Sequence, residues 1–190
     1  ALEPEFLHRE HEGGRAVVAA GDDAGAGMHP AVIAVVAARH GVEQHLVLHH
    51  AGLDGSTVGG QRGGAQAVTL INTAHCMSMN PTTGLPSLGN GGGGLSGRSV
   101  HPIAVRAIYE VAANVPDLPI VGAGGVTSGW EAIELMLAGA SAVQVGTASF
   151  AEPRAMSRIQ REMNAWAKRN DVNAWSEIVG LAHRGGISAL

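Results

Sequence analysis

Residues 118–125 read LPIVGAGG, and residues 142–147 read AVQVGT. Each stretch is a short apolar run that ends in a glycine loop, and a helix-length segment separates the two. This order predicts parallel strands joined by right-handed helical crossovers. Glycine lets backbone N–H groups approach a ligand closely, and such groups beyond strand ends suit a phosphate. We therefore expect a phosphate-bearing cofactor in the C-terminal half of a (β/α) barrel, where the last two strand loops often hold phosphate.

Residues 67–190 continue this pattern in both directions. Ala67–Ile71 (AVTLI) predicts a strand, and the polar, glycine-rich residues 74–97 that follow are typical of a functional loop. We predict four helices: His101–Ala113, Ser128–Gly139 with an S-x-x-E capping box, one from Glu152-Pro153, and one at about Ala174–His183. In the first helix a shared buried face is expected for Ile103, Ala107, Ile108 and Val111, and in the third a packing stripe for Met156, Ile159, Met163 and Trp166.

Residues 1–66 do not follow this pattern. They hold twelve glycines, seven of the ten histidines, one aromatic residue (Phe6) and no lysine. Val32–Ala38 fits either a helix or a buried strand, and His45–His49 fits a strand. Two explanations stay open for this region: a divergent Ala/Gly-rich subregion, or out-of-frame translation of a GC-rich gene.

Composition limits the functional classes. A net charge of −4 gives no electrostatic argument for nucleic acid, and no apolar run is long enough to cross a membrane. The single cysteine, Cys76, excludes an intrachain disulfide and favours a cytoplasmic location; we expect it to be a small, partly buried side chain. His45, His49 and His50 lack acidic or cysteine partners at ligand spacing, so no metal site is expected.

Five stretches in order resemble the dihydroorotate dehydrogenases, the FMN enzymes of pyrimidine synthesis, and in particular the class 1, NAD-linked catalytic subunit. They are AVTLINT at 67–73, GGLSG at 93–97, HPIAVRAIYEV at 101–111, PIVGAGGV at 119–126 and AGASAVQVGTASF at 138–150. The tail WSEIVGLA at 175–182 is also similar. The resemblance runs from about Gly64 to Arg184. It implies the C-terminal portion of a (β/α)8 TIM barrel that is incomplete in this chain, with residues 1–66 unmatched and residues 67–190 as the FMN-binding half.

The resemblance also implies the site residues. The FMN phosphate and ribityl region would contact Gly97, Gly124, Gly125, Gly146 and Thr147, and Asn72 with Thr73 would hydrogen-bond dihydroorotate or orotate. An amide side chain offers both a donor and an acceptor, which suits a pyrimidine ring edge. The implied partners are a second copy in a homodimer and an iron–sulfur flavoprotein that transfers electrons.

Two family features have no counterpart in this sequence. The catalytic base, a cysteine or serine of the first half, cannot be placed, and Cys76 does not lie on the corresponding loop. The flavin-contacting lysine should precede Asn72, but the only lysine is Lys168. Two further interpretations therefore stay open beside dihydroorotate oxidation: a related flavin barrel such as a dihydropyrimidine dehydrogenase-like domain, and a catalytically inactive half-barrel.

Overall fold

The computed structural model describes residues 33–34 and 67–189. Its main sheet has four strands, β1 (Ile33–Ala34), β2 (Val68–Leu70), β5 (Ile120–Ala123) and β6 (Ala142–Gln144). They lie in the order β1-β6-β5-β2, and all neighbours are parallel. The chain is therefore a mixed α/β structure with a parallel sheet, as the alternating pattern predicts. No helix in the described residues is long and apolar enough to cross a membrane.

The segment between β2 and the first helix is a long hairpin rather than an irregular loop. Strand β3 (Ala74–Met77) pairs antiparallel with β4 (Gly92–Leu95), and isolated bridges join Met79 to Pro86 and Leu88 to Gly91. Glycine-rich β4 approaches β3 closely, since a Cβ on Gly94 would lie 2.6 Å from Thr73 Cβ. Cross-strand pairing thus orders residues that the sequence pattern assigned to a functional loop.

Three long helices cover the sheet: α1 (His101–Asn114), α2 (Gly129–Ala138) and α4 (Ala155–Arg169). The short helices α3 (Thr147–Ala151) and α5 (Trp175–Ile178) follow β6 and α4. Helix α2 packs between α1 and α4. The fully buried side chains come from both layers: Ile108, Ile120, Ile133, Leu135, Met136, Val143, Val145, Ile159, Met163 and Ile178.

The predicted helix ends are correct where a local side chain or glycine sets them. Pro102 lies in the first turn of α1. At α2 the Ser128 hydroxyl accepts a hydrogen bond from the Glu131 N–H, and Gly139 ends the helix with a φ of 134°. A side chain at Gly139 would also collide with Ala112 on α1, so this glycine both ends α2 and permits the close contact between the helices.

Three helix predictions need correction. Ile103 is 38% exposed, because the buried stripe of α1 runs through Ala104, Ala107, Ile108 and Val111. Helix α4 begins at Ala155, not at Glu152-Pro153, and the Glu152 carboxylate instead binds Arg158. The last predicted helix is interrupted at Gly180, whose left-handed backbone (φ 66°) separates α5 from a 3-10 turn at Leu181–Arg184.

Of Val32–Ala38, only Ile33–Ala34 is described, and it is a strand beside β6. The rest of that segment and the predicted strand at His45–His49 lie outside the described residues.

The buried face of α1 predicts that two isoleucines of this helix contribute differently to the free energy of unfolding. Ile108→Ala should lower the free energy of unfolding by about 2–5 kcal/mol, because Ile108 is fully buried against the sheet. Ile103→Ala removes the same atoms from a partly exposed position and should cost about 1 kcal/mol or less. Urea unfolding followed by circular dichroism measures both, and equal losses would contradict the assigned buried face.

Candidate functional site

One cavity of about 380 Å³ lies where the parallel strands β2, β5 and β6 end. Four segments line it: residues 71–73 after β2, 96–100 after β4, 123–127 after β5, and 144–148 with Ala151 after β6. All seven residues singled out from the sequence border this cavity, namely Asn72, Thr73, Gly97, Gly124, Gly125, Gly146 and Thr147. The structure thus brings together loops that are up to 75 residues apart in the chain.

Glycine is required where two of these loops touch. Gly125 has a φ of 69°, and a Cβ there would lie 2.9 Å from the Gly97 carbonyl oxygen and 2.7 Å from His101 Cβ. A Cβ on Gly97 would lie 3.7 Å from Thr147 Cγ2. The three predicted cofactor loops are therefore in near contact, and a larger residue at position 125 would push the first two apart.

Hydrogen-bond donors remain free along these loops. Within the described part of the chain, no hydrogen bond uses the N–H groups of Gly97, Gly125 or Gly146, or the hydroxyl of Thr147. Polar groups that border a cavity without a protein partner are available to a ligand. Several N–H donors in one concave surface suit an anion.

At the end of β2, Asn72 and Thr73 bind each other. The Asn72 Oδ1 accepts a hydrogen bond from the Thr73 N–H at 2.7 Å and a longer one from the Thr73 hydroxyl at 3.4 Å. This local pairing leaves the Asn72 Nδ2 as the open donor of the side chain. Asn72 therefore presents mainly a donor to the cavity, rather than the donor and acceptor that the amide type alone suggests.

The sequence analysis missed Arg98 and Glu131. Arg98 follows Gly97 directly, and its Nε donates to Glu131 Oε1 at 2.7 Å. The other carboxylate oxygen of Glu131 accepts from the Thr127 N–H and hydroxyl, both at 2.7 Å, and from the Ser128 hydroxyl at 3.1 Å. The capping box at Ser128 predicts from the sequence that Glu131 lies in a helix. Its hydrogen bond with Arg98, 33 residues earlier in the chain, is evident only from the three-dimensional structure.

Glu131 is buried yet remains ionised. Burial raises the pKa of its carboxyl, but hydrogen bonds from Thr127, Arg98 and Ser128 outweigh that effect and lower the pKa to about 2. The carboxylate thereby joins the loop after β4 to the loop after β5, on one side of the cavity.

A second group of charges supports the loop after β5 from helix α4. The Arg158 guanidinium donates to the Thr127 carbonyl oxygen at 3.0 Å and binds the carboxylates of Glu152 and Glu162. Glu162 also accepts from the Gly129 N–H at 2.6 Å, and this bond together with Arg158 lowers the pKa of its carboxyl. Hydrogen bonding to Arg158 likewise lowers the pKa of Glu152. Thr127 is thus held on both its N–H and its carbonyl.

The side chain of His101 holds the glycine loop after β5. Its buried ring places Nδ1 2.9 Å from the Gly124 carbonyl oxygen and Nε2 3.1 Å from the Glu134 carboxylate. Since a carbonyl only accepts, Nδ1 carries the proton of that bond. The first residue of α1 therefore holds the loop after β5 in place.

Cys76 does not line this cavity. It is exposed on β3, which corrects the expectation of a partly buried side chain, because β3 belongs to a two-stranded hairpin and not to the main sheet. Among the described residues, no group of three or more His, Cys, Asp and Glu side chains could hold a metal ion. His45, His49 and His50 lie outside the described residues.

A parallel sheet whose strand-end loops surround one cavity is a common ligand-binding arrangement of α/β proteins. The sequence model described as dihydroorotate dehydrogenase matches residues 58–166, which is more than half of the chain. The chain belongs to the dihydroorotate dehydrogenase family.

Curated relatives agree with this assignment. The chain is 41% identical over 124 residues to the dihydroorotate dehydrogenase B (NAD(+)) catalytic subunit of Methanocella arvoryzae, covering 65% of this chain and 40% of the relative. It is 45% identical over 117 residues to the same subunit of Citrifermentans bemidjiense, covering 62% and 38%. A putative dihydroorotate dehydrogenase A (fumarate) of Solibacter usitatus is 41% identical over 120 residues, covering 63% and 39%. The chain thus spans about 40% of the length of these relatives.

A solved structure shows the same fold. The crystal structure of the Eimeria tenella dihydroorotate dehydrogenase in complex with ferulenol superposes with a TM-score of 0.55 at 24% identity. The match covers 66% of this chain and 33% of that chain.

The low pKa of Glu131 predicts an acid-sensitive contribution to stability. Because the folded-state pKa of about 2 lies below the ordinary 4.5, the ionised carboxylate stabilises the fold above pH 4.5, and this stabilisation is lost as the pH falls towards 2. The loss is at most about 3 kcal/mol. Glu131→Gln should remove this part of the pH dependence in urea unfolding, whereas Asp117→Asn, at an exposed position before β5, controls for net charge. Parallel pH profiles for the wild type and Glu131→Gln would contradict the assignment.

Proposed function

We propose that this chain supplies the FMN-binding part of a dihydroorotate dehydrogenase, which oxidises dihydroorotate to orotate. The observation that carries the proposal is the meeting of three glycine loops and the Asn72–Thr73 pair around one cavity at the strand ends. Membership of the family supports the reaction, and the geometry supports the assignment of roles to individual residues.

The residues around the cavity fit a phosphorylated flavin. Free N–H groups at Gly97, Gly125 and Gly146 would donate to phosphate oxygens, and the Thr147 hydroxyl would add a side-chain donor. Gly124 lines the cavity and would contact the ribityl chain; a Cβ there would collide with Ala104, so this glycine also lets the loop pack against α1. FMN, when bound, supplies the hydride acceptor.

The substrate would lie beside the end of β2. We assign the open Nδ2 donor of Asn72 and the Thr73 side chain to the pyrimidine, so that this chain orients the ring and leaves redox chemistry to the flavin. We assign no residue of this chain to the base that removes the ring proton. Exposed Cys76 lies on the hairpin outside the cavity lining and is not given that role.

The same proposal accounts for the order and direction of the strands in the main sheet. Strands β2, β5 and β6 follow one another in the sheet, all parallel, as the sixth to eighth strands of a (β/α)8 barrel would. We therefore propose residues 67–190 as the C-terminal half of a TIM barrel. Residues 1–66 would be a largely unmatched region, of which residues 58–66 match the family model and Ile33–Ala34 adds a strand to the main sheet. A related flavin barrel acting on another pyrimidine would share this site, and a catalytically inactive half-barrel would share the fold.

Two partners are consistent with the relatives and with the hairpin surface. The name of the Methanocella arvoryzae relative, a catalytic subunit of an NAD-linked enzyme, supports a separate electron-transfer subunit, and we also propose a homodimer. The hairpin exposes large apolar side chains that such contacts would cover: Met77, Met79, Leu85 and Leu88. We place the assembly in the cytoplasm, since a single cysteine fits a reducing compartment.

Thr147 provides a direct test of the phosphate site. Thr147→Val keeps the shape of the side chain but removes its hydroxyl, and it should weaken FMN binding by about 1–2 kcal/mol, the scale of a hydrogen bond to a charged group. Thr82→Val, on the exposed hairpin turn, serves as the control and should leave the dissociation constant unchanged. Quenching of flavin fluorescence measures both constants. An unchanged value for Thr147→Val would mean that Thr147 only begins α3 and does not bind the phosphate.

The second test concerns turnover. With FMN added, the 190-residue chain should oxidise dihydroorotate very slowly, because general-base catalysis contributes roughly 10²–10⁴-fold and no base is assigned. Replacing residues 1–66 with the first half of a relative, in frame, should recover flavin binding and orotate production measured by absorbance. Brisk turnover by the unmodified chain would show that residues 1–66 or Cys76 supply the base.

A further inference from the structure

The cavity has an uneven charge distribution. Among the described residues that line it, Arg98 alone has a charged side chain; the others are glycines, small or apolar residues, and neutral polar side chains. The free N–H groups of the loops supply dipoles but no net charge. Among these lining residues, Arg98 is therefore the side chain that can add a full positive charge to the dipoles of the loop donors.

Within the described residues, only one of the three guanidinium nitrogens of Arg98 forms a hydrogen bond. Its Nε binds Glu131 at 2.7 Å, whereas its two terminal nitrogens make no hydrogen bond within the described residues. Arginine presents its N–H groups in a rigid planar fork, so fixing Nε against Glu131 also limits where the terminal nitrogens lie. Two N–H-bearing nitrogens of a residue that lines the cavity thus have no hydrogen-bond partner within the described part of the chain, and the same holds for the N–H of the preceding Gly97.

The anchor of Arg98 is itself held firmly. Glu131 is buried, and its second oxygen accepts hydrogen bonds from Thr127 and Ser128, so the carboxylate has little freedom to move with the arginine. A side chain that is positioned before the ligand arrives loses less entropy when it binds. Since the Arg98 side chain is 76% exposed and its charge is partly offset by Glu131, the expected effect on affinity is moderate.

We infer that Arg98, positioned by Glu131, recognises the dianionic phosphate and makes the site select a phosphorylated flavin over an unphosphorylated one. This inference rests on the proposed flavin-binding function and adds to it the residue that determines charge selectivity. The neutral loop donors would also favour the phosphate through hydrogen bonds, and Arg98 would add the attraction between full charges, which acts only when the ligand carries the phosphate.

The experiment compares FMN with riboflavin on the full 190-residue chain, by fluorescence quenching at low ionic strength. The wild type should prefer FMN, and Arg98→Gln should weaken FMN binding about ten-fold with little change for riboflavin. Arg98→Lys should recover only part of this loss, because a lysine cannot hold Glu131 and a phosphate with one planar group. Arg106→Gln, on the exposed surface of α1, is the matched control and should leave both affinities unchanged.

A measurement on the wild type alone guards against a variant that fails to fold. Raising the salt concentration should weaken FMN binding more steeply than riboflavin binding, since screening acts on the charged ligand. Equal affinity of the wild type for both flavins, equal salt dependence, or an equal loss of both in Arg98→Gln would overturn the role of Arg98 while leaving a flavin site. Failure of the wild type to bind either flavin would overturn the proposed function and this inference with it.

Discussion

The buried carboxylate of Glu131 is the interaction on which the shape of the cavity depends. It accepts hydrogen bonds from the loop after β4 through Arg98 and from the loop after β5 through Thr127 and Ser128. Glycine loops have many accessible conformations, so their relative positions must be fixed by contacts with a rigid part of the fold. The carboxylate of Glu131 on a packed helix provides such a contact, because moving a loop away would leave this ionised group buried without hydrogen-bond partners.

The packing of the helices holds Glu131 in place. Helix α2 carries Glu131 and lies between α1 and α4, where Ile133, Leu135 and Met136 are fully buried. Arg158 of α4 then holds the carbonyl of Thr127, and His101 of α1 holds that of Gly124. The loop after β5 is therefore fixed by side chains from three helices, and flexible glycine segments acquire a defined geometry without large side chains of their own.

The described residues form one edge of a sheet and the loops beyond it, and they supply hydrogen-bond donors and one cation around the cavity. The family relatives are more than twice as long as the matched region. The exposed methionines and leucines of the hairpin form an apolar surface that the proposed partners would cover.

Local signals in the sequence predicted the main-sheet strands and the long helices of residues 67–189, but not the hairpin β3–β4 or the short helix α3. Apolar runs ending in glycine predicted β5 and β6, the Ser128 capping box predicted the start of α2, and Gly139 predicted its end, because each depends on neighbours a few residues away. The order of motifs also predicted the family. Three predictions were wrong: the burial of Ile103, the start of α4 at Glu152-Pro153 and a single helix at about Ala174–His183. Packing direction, competing side-chain bonds and the left-handed backbone of Gly180 decide these features.

Only the tertiary structure decided how the site is built. The sequence indicated Gly97, Gly125 and Thr147 as candidates, but not that Gly125 lies against the Gly97 carbonyl or that Arg98 is the charged residue beside them. The Arg98–Glu131 pair spans 33 residues and the Arg158–Thr127 contact spans 31. Such pairings have no periodicity or local spacing to reveal them, because they arise only when parallel strands bring their ends to the same edge of the sheet.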